Sequence, residues 1–405
     1  MMKKKIQLYL HIPFCIKKCH YCDFLSFSAD EDVQEEYVDA LIREIEYYGS
    51  CMQEYEVSTI FIGGGTPSWL NERKMLQIIA ALHRNFSICE DAEITMECNP
   101  GTITAKKMQQ YRKAGINRLS IGLQSADNEE LKILGRIHTY EQFLKTFSLA
   151  READFTNVNV DLISGIPYQT REKFLNTLQK VVWLKPEHIS AYSLIIEEGT
   201  PFYDAYKNDR MCQEKGLPTQ ILPSEEETYA ILKMTQQYLK DAGYKQYETS
   251  NFSLKGYECR HNVGYWTRKE YLGMGIGAAS LVDNVRFSNE TDLEKYIENT
   301  KLLKNRPLNE ETENMIIGTI LQKNIQTISR AEQMEEFMFL GLRMNEGVGR
   351  EEFKEHFGTS IDAVYRSVMD ELKAEGLVQL LAGRVALTER GSEVANYVMS
   401  RFLLR

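Results

Sequence analysis

Residues 8–24 read LYLHIPFCIKKCHYCDF: a short β-rich run, then three cysteines, Cys15, Cys19 and Cys22, within eight positions. Only eight cysteines occur in the 405 residues, so the chain is no disulfide scaffold. A tight cluster in such a chain points to metal binding or catalysis. A structural zinc site closes with four ligands, usually drawn from two paired groups. Here three thiols stand together with no distant CxxC partner, although His20 lies inside the loop and could complete a Cys3His zinc site. The other chemistry open to three thiolates is a cubane iron–sulfur cluster with one iron left free for a substrate or cofactor.

Outward from this stretch, β-rich runs recur: YLHIPF itself, then TIFIGGG near residue 60, EITMECN near 95, RLSIGLQ near 120, NVNVDLISG near 160 and HISAYSL near 190. Between them lie EYVDALIREIEYY, KMLQIIAALHRNF, EQFLKTFSLAREA and KFLNTLQKVVWL, whose apolar residues follow helical spacing. Repeated strand–helix units predict a parallel sheet, either open and doubly wound or closed into a complete or partial barrel. Each run ends in something of chemical use: the cysteines, Gly63-Gly64-Gly65, Glu97, Gln124 and Asp161. In a βα barrel the C-terminal strand ends open onto one face, where active sites sit. One shared site accounts for all of them.

Composition narrows the remaining classes. With 43% hydrophobic residues the chain can bury a large core, and its length predicts one large domain plus a smaller one. MMKKKIQLYLHIPF begins like a signal peptide, but Gln7 and His11 interrupt its apolar part and no small-residue cleavage site follows; a cytoplasmic protein is expected. No window approaches the length of a membrane span. A net charge of −10 argues against a nucleic-acid partner.

The CxxxCxxC spacing resembles that of the radical S-adenosylmethionine (SAM) superfamily. FIGGGTPS (61–68), MECNPGT (96–102), RLSIGLQS (118–125), Gly135-Arg136, VDLISGIP (160–167) and HNVGYW (261–266) resemble, in order, the oxygen-independent coproporphyrinogen III oxidases and their HemW relatives. The resemblance implies a partial (βα)6 radical SAM barrel over residues 1–295, followed over 296–405 by a mostly helical, winged-helix-like domain. It implies a 4Fe–4S cluster on Cys15, Cys19 and Cys22, its open iron chelated by the methionine part of SAM. Gly64, Gly65 and Thr66 would border the methionine, with backbone N–H groups free to approach a polar ligand. Glu97 would accept from ribose hydroxyls; Tyr9, Tyr21, Gln124, Arg136 and Asp161 match other SAM-proximal positions, Arg136 as a carboxylate fork. A reduced cluster would then split SAM into methionine and a 5′-deoxyadenosyl radical, with electrons from a flavodoxin or ferredoxin. Taken one at a time, a strand-end glycine run can be only a turn, Asp161 a helix cap and Tyr9 core.

Phe24 departs from the oxidase pattern, which carries a fourth cysteine there. CDF and HNVGYW match instead the HemW branch, regarded as heme chaperones, so heme and a heme-accepting protein are the expected partners. A porphyrin decarboxylase or methyltransferase is the alternative, and an iron–sulfur regulator a third. His261, beside Tyr265 and Trp266, is the candidate heme ligand, with Cys259 and Met274 nearby; a hydrogen-bonded structural cluster is the competing account. Beyond the polar run from Lys301 to Arg306 and Pro307, helical segments and a turn-rich hairpin suggest the winged-helix-like module. Residues 301–405 hold 14 Lys/Arg against 16 Asp/Glu, and the segment Ser360–Gly376 sets Arg366 and Lys373 against four carboxylates, so phosphate contact is not expected.

Overall fold

The computed structural model describes residues 3–303 and 316–404; the run from Lys304 to Pro307 lies outside them. Six parallel strands, β1 (Lys4–Ile12), β2 (Tyr55–Gly64), β3 (Ile88–Cys98), β4 (Arg118–Gln124), β5 (Val158–Ser164) and β6 (His188–Ser193), pair in chain order. Helices α1 (Glu31–Cys51), α2 (Glu72–Asn85), α3 (Ala105–Lys113), α4 (Asn128–Ile133), α5 (Tyr140–Glu152) and α6 (Arg171–Trp183) lie between them. Each begins at a side-chain cap: Asp30, Asn71, Thr104, Asp127, Thr139 or Thr170 accepts a backbone N–H of the first turn. On β1, Ile6, Leu8, Leu10 and Ile12 are buried in the main core, which leaves Gln7, Tyr9 and His11 on the opposite, barrel-facing side. This is the partial (βα)6 barrel expected from the sequence.

The barrel's open edges are covered by strands the sequence did not reveal. β7 (Lys245–Gln246) and β8 (Asn251–Ser253) continue the sheet antiparallel beyond β6. On the other side β9 (Tyr271–Met274) runs parallel to β1, then β10 (Ala279–Val282), β11 (Val285–Asn289) and β12 (Gln322–Thr327) follow antiparallel, giving twelve strands in one sheet. Runs of two to six residues are too short for periodicity to show, yet they remove the aggregation hazard of bare edges. The helices α7 (Pro201–Glu214), α8 (Glu225–Asp241), α9 (Arg260–Trp266) and α10 (Leu293–Lys301) complete this body.

A second core gathers Met338, Phe353, Phe357, Tyr365, Leu372 and Val385, among others, from α11 (Arg330–Gly341), α12 (Arg350–Phe357), α13 (Ile361–Ala374) and a small sheet. Its strands are β13 (Val348–Gly349), between α11 and α12, and the hairpin β14 (Val378–Leu381) and β15 (Arg384–Leu387) after α13, with β13 pairing on β15 as in a winged helix. The boundary expected after residue 295 falls early. Tyr296, Ile297, Ile316 and Leu321 belong to the first core, and β12 pairs in the barrel sheet; the polar run near 301 interrupts that body without ending it. A buried Arg268–Glu336 pair at 2.8 Å, and Arg343 stacked 4.6 Å over Trp266, join the two units. No helix among the described residues is long and apolar enough to cross a membrane.

The extension is tied to α1 by one buried carboxylate. Glu44 accepts from the Gly275 N–H at 2.8 Å, the Tyr296 hydroxyl at 2.5 Å and Asn289 Nδ2 at 2.7 Å. Burial pushes it up to about 7, against the pull of these donors. Glu44→Ala strands three buried donors, each costing about 1–3 kcal/mol; chemical denaturation should show a loss of several kcal/mol, and Glu44→Gln a distinctly smaller one.

Candidate cluster and cofactor site

At the end of β1 the chain turns into the cysteine loop and comes back on itself. The Cys15 N–H donates to the Phe27 carbonyl and the Phe27 N–H to the Pro13 carbonyl, both at 2.9 Å, so both ends of the loop are fixed to the sheet. His11 makes a third tie. Its Nε2 lies 2.8 Å from the Leu25 carbonyl and must donate, leaving Nδ1 to accept from the Tyr9 hydroxyl at 3.0 Å. All three cysteines are free, half-buried and on the wall of one cavity of about 550 Å3 at the C-terminal strand ends.

His20 does not join them. Its Nδ1 is 3.1 Å from the Ile133 carbonyl and its ring packs on Phe202, away from the cavity wall. Gly135 has φ +74, and a Cβ there would come within 2.8 Å of the His20 ring, so this glycine makes room for the imidazole. The Cys3His zinc set is therefore not assembled, and no group of three His, Cys, Asp or Glu among the described residues is already drawn together as a metal site. The three thiols suit a larger inorganic core better than a single tetrahedral ion. Burial pushes the Cys22 thiol up, which a bound cationic core would offset, and the Arg136 guanidinium sits 3.6 Å from Cys19 Sγ.

The glycines play a different part from the one expected. The Gly64 N–H donates to Glu97 Oε2 at 3.0 Å, and the Gly65 and Thr66 N–H groups donate to the carbonyls of Ile12 and Phe14 at 2.8 Å. None of the three is left for a ligand. A Cβ on Gly64 would lie 2.7 Å from the His11 ring, and one on Gly65 2.8 Å from the Phe14 carbonyl oxygen. The absent side chains let the end of β2 close onto the end of β1. Thr66 Oγ1 in turn lies 3.5 Å from Cys15 Sγ and accepts from Asn99 Nδ2 at 2.8 Å.

Across the cavity, Gln124 closes β4 in a left-handed conformation, φ +71, beside a register shift, and its buried Oε1 has no partner. A non-glycine residue in that region, with an orphaned amide oxygen on a cavity wall, is the kind of local cost that a bound ligand repays. Arg136 bridges the Asn99 Oδ1 at 2.6 Å and the Gly122 carbonyl at 2.9 Å, so it is anchored to the barrel and does not present a free fork. Asp161 is no helix cap. It accepts from Ser120 Oγ at 2.9 Å, Asn159 Nδ2 at 2.8 Å and the Tyr192 hydroxyl at 2.5 Å. Tyr21 packs against Phe202 inside the loop, and Tyr9 stacks on Phe61. Gln124, Arg136, Asp161, Tyr21, Tyr9 and Phe61 line the same cavity as the three cysteines.

Among the residues that sequence reasoning did not single out are Tyr192 and Arg118 on the cavity wall, and His11, which ties the cysteine loop through Leu25. All three stood inside quoted runs, but nothing about their type or spacing pointed to the site. Arg118 is 2% exposed on the cavity floor; its Nε is buried without a hydrogen-bond partner, while against that burial Cys259, Glu93 and Asp161 act on the guanidinium through their charge and favour its cationic form. A buried Nε–H left without an acceptor leaves room for one further polar neighbour.

His261 opens into the floor of the cavity from α9, but its surroundings do not match a heme ligand. Nδ1 is 2.8 Å from Thr59 Oγ1, Nε2 3.1 Å from the Tyr265 hydroxyl, and the residue is 2% exposed. Burial holds the imidazole neutral, lowering it to about 3. Ligation would need Nε2 to give up Tyr265 and a broad macrocycle to enter a closed wall. Cys259 donates toward Glu93 at 3.6 Å and Met274 is fully buried in β9, so neither offers an open ligand either.

Residues 9–181 match the family model of the radical SAM superfamily, and residues 328–394 that of the HemN C-terminal domain. The heme chaperone HemW of Bacillus subtilis is 33% identical over 396 residues, and that of Escherichia coli 34% identical over 399 residues, in each case spanning 98% of both chains. This chain belongs to the HemW family. The solved coproporphyrinogen III oxidase (HemN) of Escherichia coli, described as a radical SAM enzyme, shares the fold with a TM-score of 0.81 at 24% identity, over all of this chain and 91% of its own. The HemW family thus places a radical SAM barrel and a HemN-type C-terminal domain in one chain, as the two cores show.

Two measurements follow from the site's geometry. Burial, with Asp161 adding to it, pushes Glu97 up to about 8. Between about pH 4.5 and 8 the folded chain then holds a proton that the unfolded chain has lost, so stability falls as pH rises through that window. Glu97→Gln should flatten this part of the thermal midpoint's pH profile in the cofactor-free protein. His261→Ala should cost about 1–3 kcal/mol by stranding the buried partners Thr59 and Tyr265, with iron and sulfide content unchanged.

Proposed function

We propose that this HemW-family chain is a heme chaperone that holds a 4Fe–4S cluster on Cys15, Cys19 and Cys22, binds SAM across the strand ends, and passes heme to an acceptor protein. The observation that carries the cofactor part is the convergence of three free thiols, the orphaned Gln124 Oε1 and the deep Glu97 and Asp161 carboxylates on one cavity. The heme part rests on what the full-length relatives are named.

The residues divide the work between them. Arg136 neutralises charge beside Cys19, and the His11–Leu25 and Cys15–Phe27 bonds hold the loop in position while a cluster is bound. Gln124 Oε1 is a free acceptor for an ammonium or hydroxyl group, and Glu97, on the neighbouring strand, would accept from ribose hydroxyls. When bound and reduced, the cluster supplies an electron to the SAM sulfonium, with a flavodoxin or ferredoxin as donor. The mouth must keep water and oxygen from that step. Tyr192, held on Asp161, stands at its edge.

A porphyrin-modifying enzyme is the second reading, and Phe24 weighs against its decarboxylase form. The side chain is 69% exposed at the cavity mouth and offers no thiol where the oxidase pattern has one.

Anaerobic reconstitution should give about four iron and four sulfide per chain. Alanine at any one of Cys15, Cys19 or Cys22 should remove most of it, while alanine at Cys51, Cys89, Cys98 or Cys212 should not. Zinc in place of iron would contradict the assignment. Incubated with SAM, a reductant and coproporphyrinogen III, the protein should form no protoporphyrinogen at a rate able to sustain heme synthesis; robust turnover would put the oxidase reading first.

A further inference from the structure

Below its mouth the cavity wall is polar, with Glu97, Asp161, Asn159, His188 and Arg118. The mouth is different. Phe24, on the cysteine loop, and Ile195, just after β6, are 69% and 65% exposed, and both lie on the cavity wall. Two large apolar side chains left in water by separate segments, facing one opening, form a surface that favours an apolar partner.

Charge is distributed around this opening with one sign. Of the charged residues on the cavity wall, Glu97, Asp161, Arg118 and Arg136 are drawn inward, and the two that are exposed are Lys17 and Lys18. The exposed carboxylates nearest in the chain, Asp23, Glu197 and Glu198, do not line the cavity. Lys18 Nζ donates to the Phe24 carbonyl at 2.9 Å, which ties one ammonium to the backbone of the residue that carries the apolar ring.

We infer that this rim is the docking surface for the tetrapyrrole, its macrocycle lying on Phe24 and Ile195 and its two carboxylates reaching Lys17 and Lys18. The inference rests on the heme reading above and adds the place. Heme has two apolar faces and carries both carboxylates on one edge, and the rim offers both chemistries: exposed apolar side chains from two segments and two exposed ammonium groups on the cysteine loop. The rim also needs no rearrangement, whereas the His261 position is closed and both of its ring nitrogens are engaged. On the rim the ligand would lie over the cluster loop and leave the polar interior to SAM.

The test uses the full chain, reconstituted anaerobically, with hemin titrated against the Soret band. Iron and sulfide content serves as the control for an intact cluster loop. The double variant Lys17→Glu/Lys18→Glu should bind hemin at least tenfold more weakly than the unaltered protein, yet bind hemin dimethyl ester, which lacks free carboxylates, equally well. Phe24→Ser/Ile195→Ser should weaken both probes by tenfold or more. Ile195→Ser alone, remote from the cysteine loop, should weaken both by a smaller factor and so guards against a loop that fails to assemble. If the unaltered protein binds hemin and the variants match it within twofold, the rim is not the site while the heme reading stands. If the unaltered protein binds no hemin, both fall.

Discussion

The site depends on a clamp of backbone hydrogen bonds where β1 ends. Gly65 and Thr66 donate to Ile12 and Phe14, while across the base of the cysteine loop Cys15 donates to Phe27 and Phe27 to Pro13. A loop carrying three metal ligands is expensive to order, because each fixed residue loses roughly 1–2 kcal/mol of backbone entropy. Here both loop ends are built into the sheet, and the imidazole of His11 adds a third tie to Leu25. The glycines after β2 are required by this clamp, since a Cβ at either Gly64 or Gly65 would collide with the end of β1. Only then do the thiols face the same cavity as Gln124, Glu97 and Asp161.

Much of this could be read from the sequence. The six barrel strands fall where the β-rich runs lie, and the four amphipathic segments are helices α1, α2, α5 and α6. The strand-end residues Glu97, Gln124 and Asp161 do share one cavity with the cysteines. Such elements are visible because burial on a parallel sheet leaves a strong apolar signature. What stayed hidden had no such signature. β7 to β10 have two to four residues each, and their role is to cover edges. The glycine run showed permissive backbone, but whether it serves a ligand or a tight packing contact depends on what lies opposite, and here that is His11. In the same way HNVGYW reads as a ligand motif, yet Thr59 and Tyr265, brought in by β2 and α9, already occupy both nitrogens of His261. Arg118 was part of a quoted motif, and that its Nε is buried without an acceptor is a three-dimensional fact.

The electrostatics of the cavity follow one plan. Carboxylates at Glu97 and Asp161, with burial raising the former, lie under the cluster loop, while the cations Arg118 and Arg136 sit on the floor and beside Cys19. Opposite charges so close to one another, inside a low-dielectric barrel, hold side chains in place but leave specific atoms unsatisfied, Gln124 Oε1 and Arg118 Nε among them. These orphaned atoms mark where the protein expects something it does not itself provide. The rim is built for a partner of different character, apolar with anionic edges, and the two chemistries are stacked along one opening.

The central claim is the proposal that Cys15, Cys19 and Cys22 would hold a 4Fe–4S cluster that binds SAM at the strand ends. The most direct measurement is electron paramagnetic resonance of the reconstituted, dithionite-reduced protein with and without SAM. The account predicts a reduced 4Fe–4S signal whose g-values shift when SAM is added. A signal unchanged by saturating SAM, or no cluster signal at all in protein that retains its three cysteines, would contradict it.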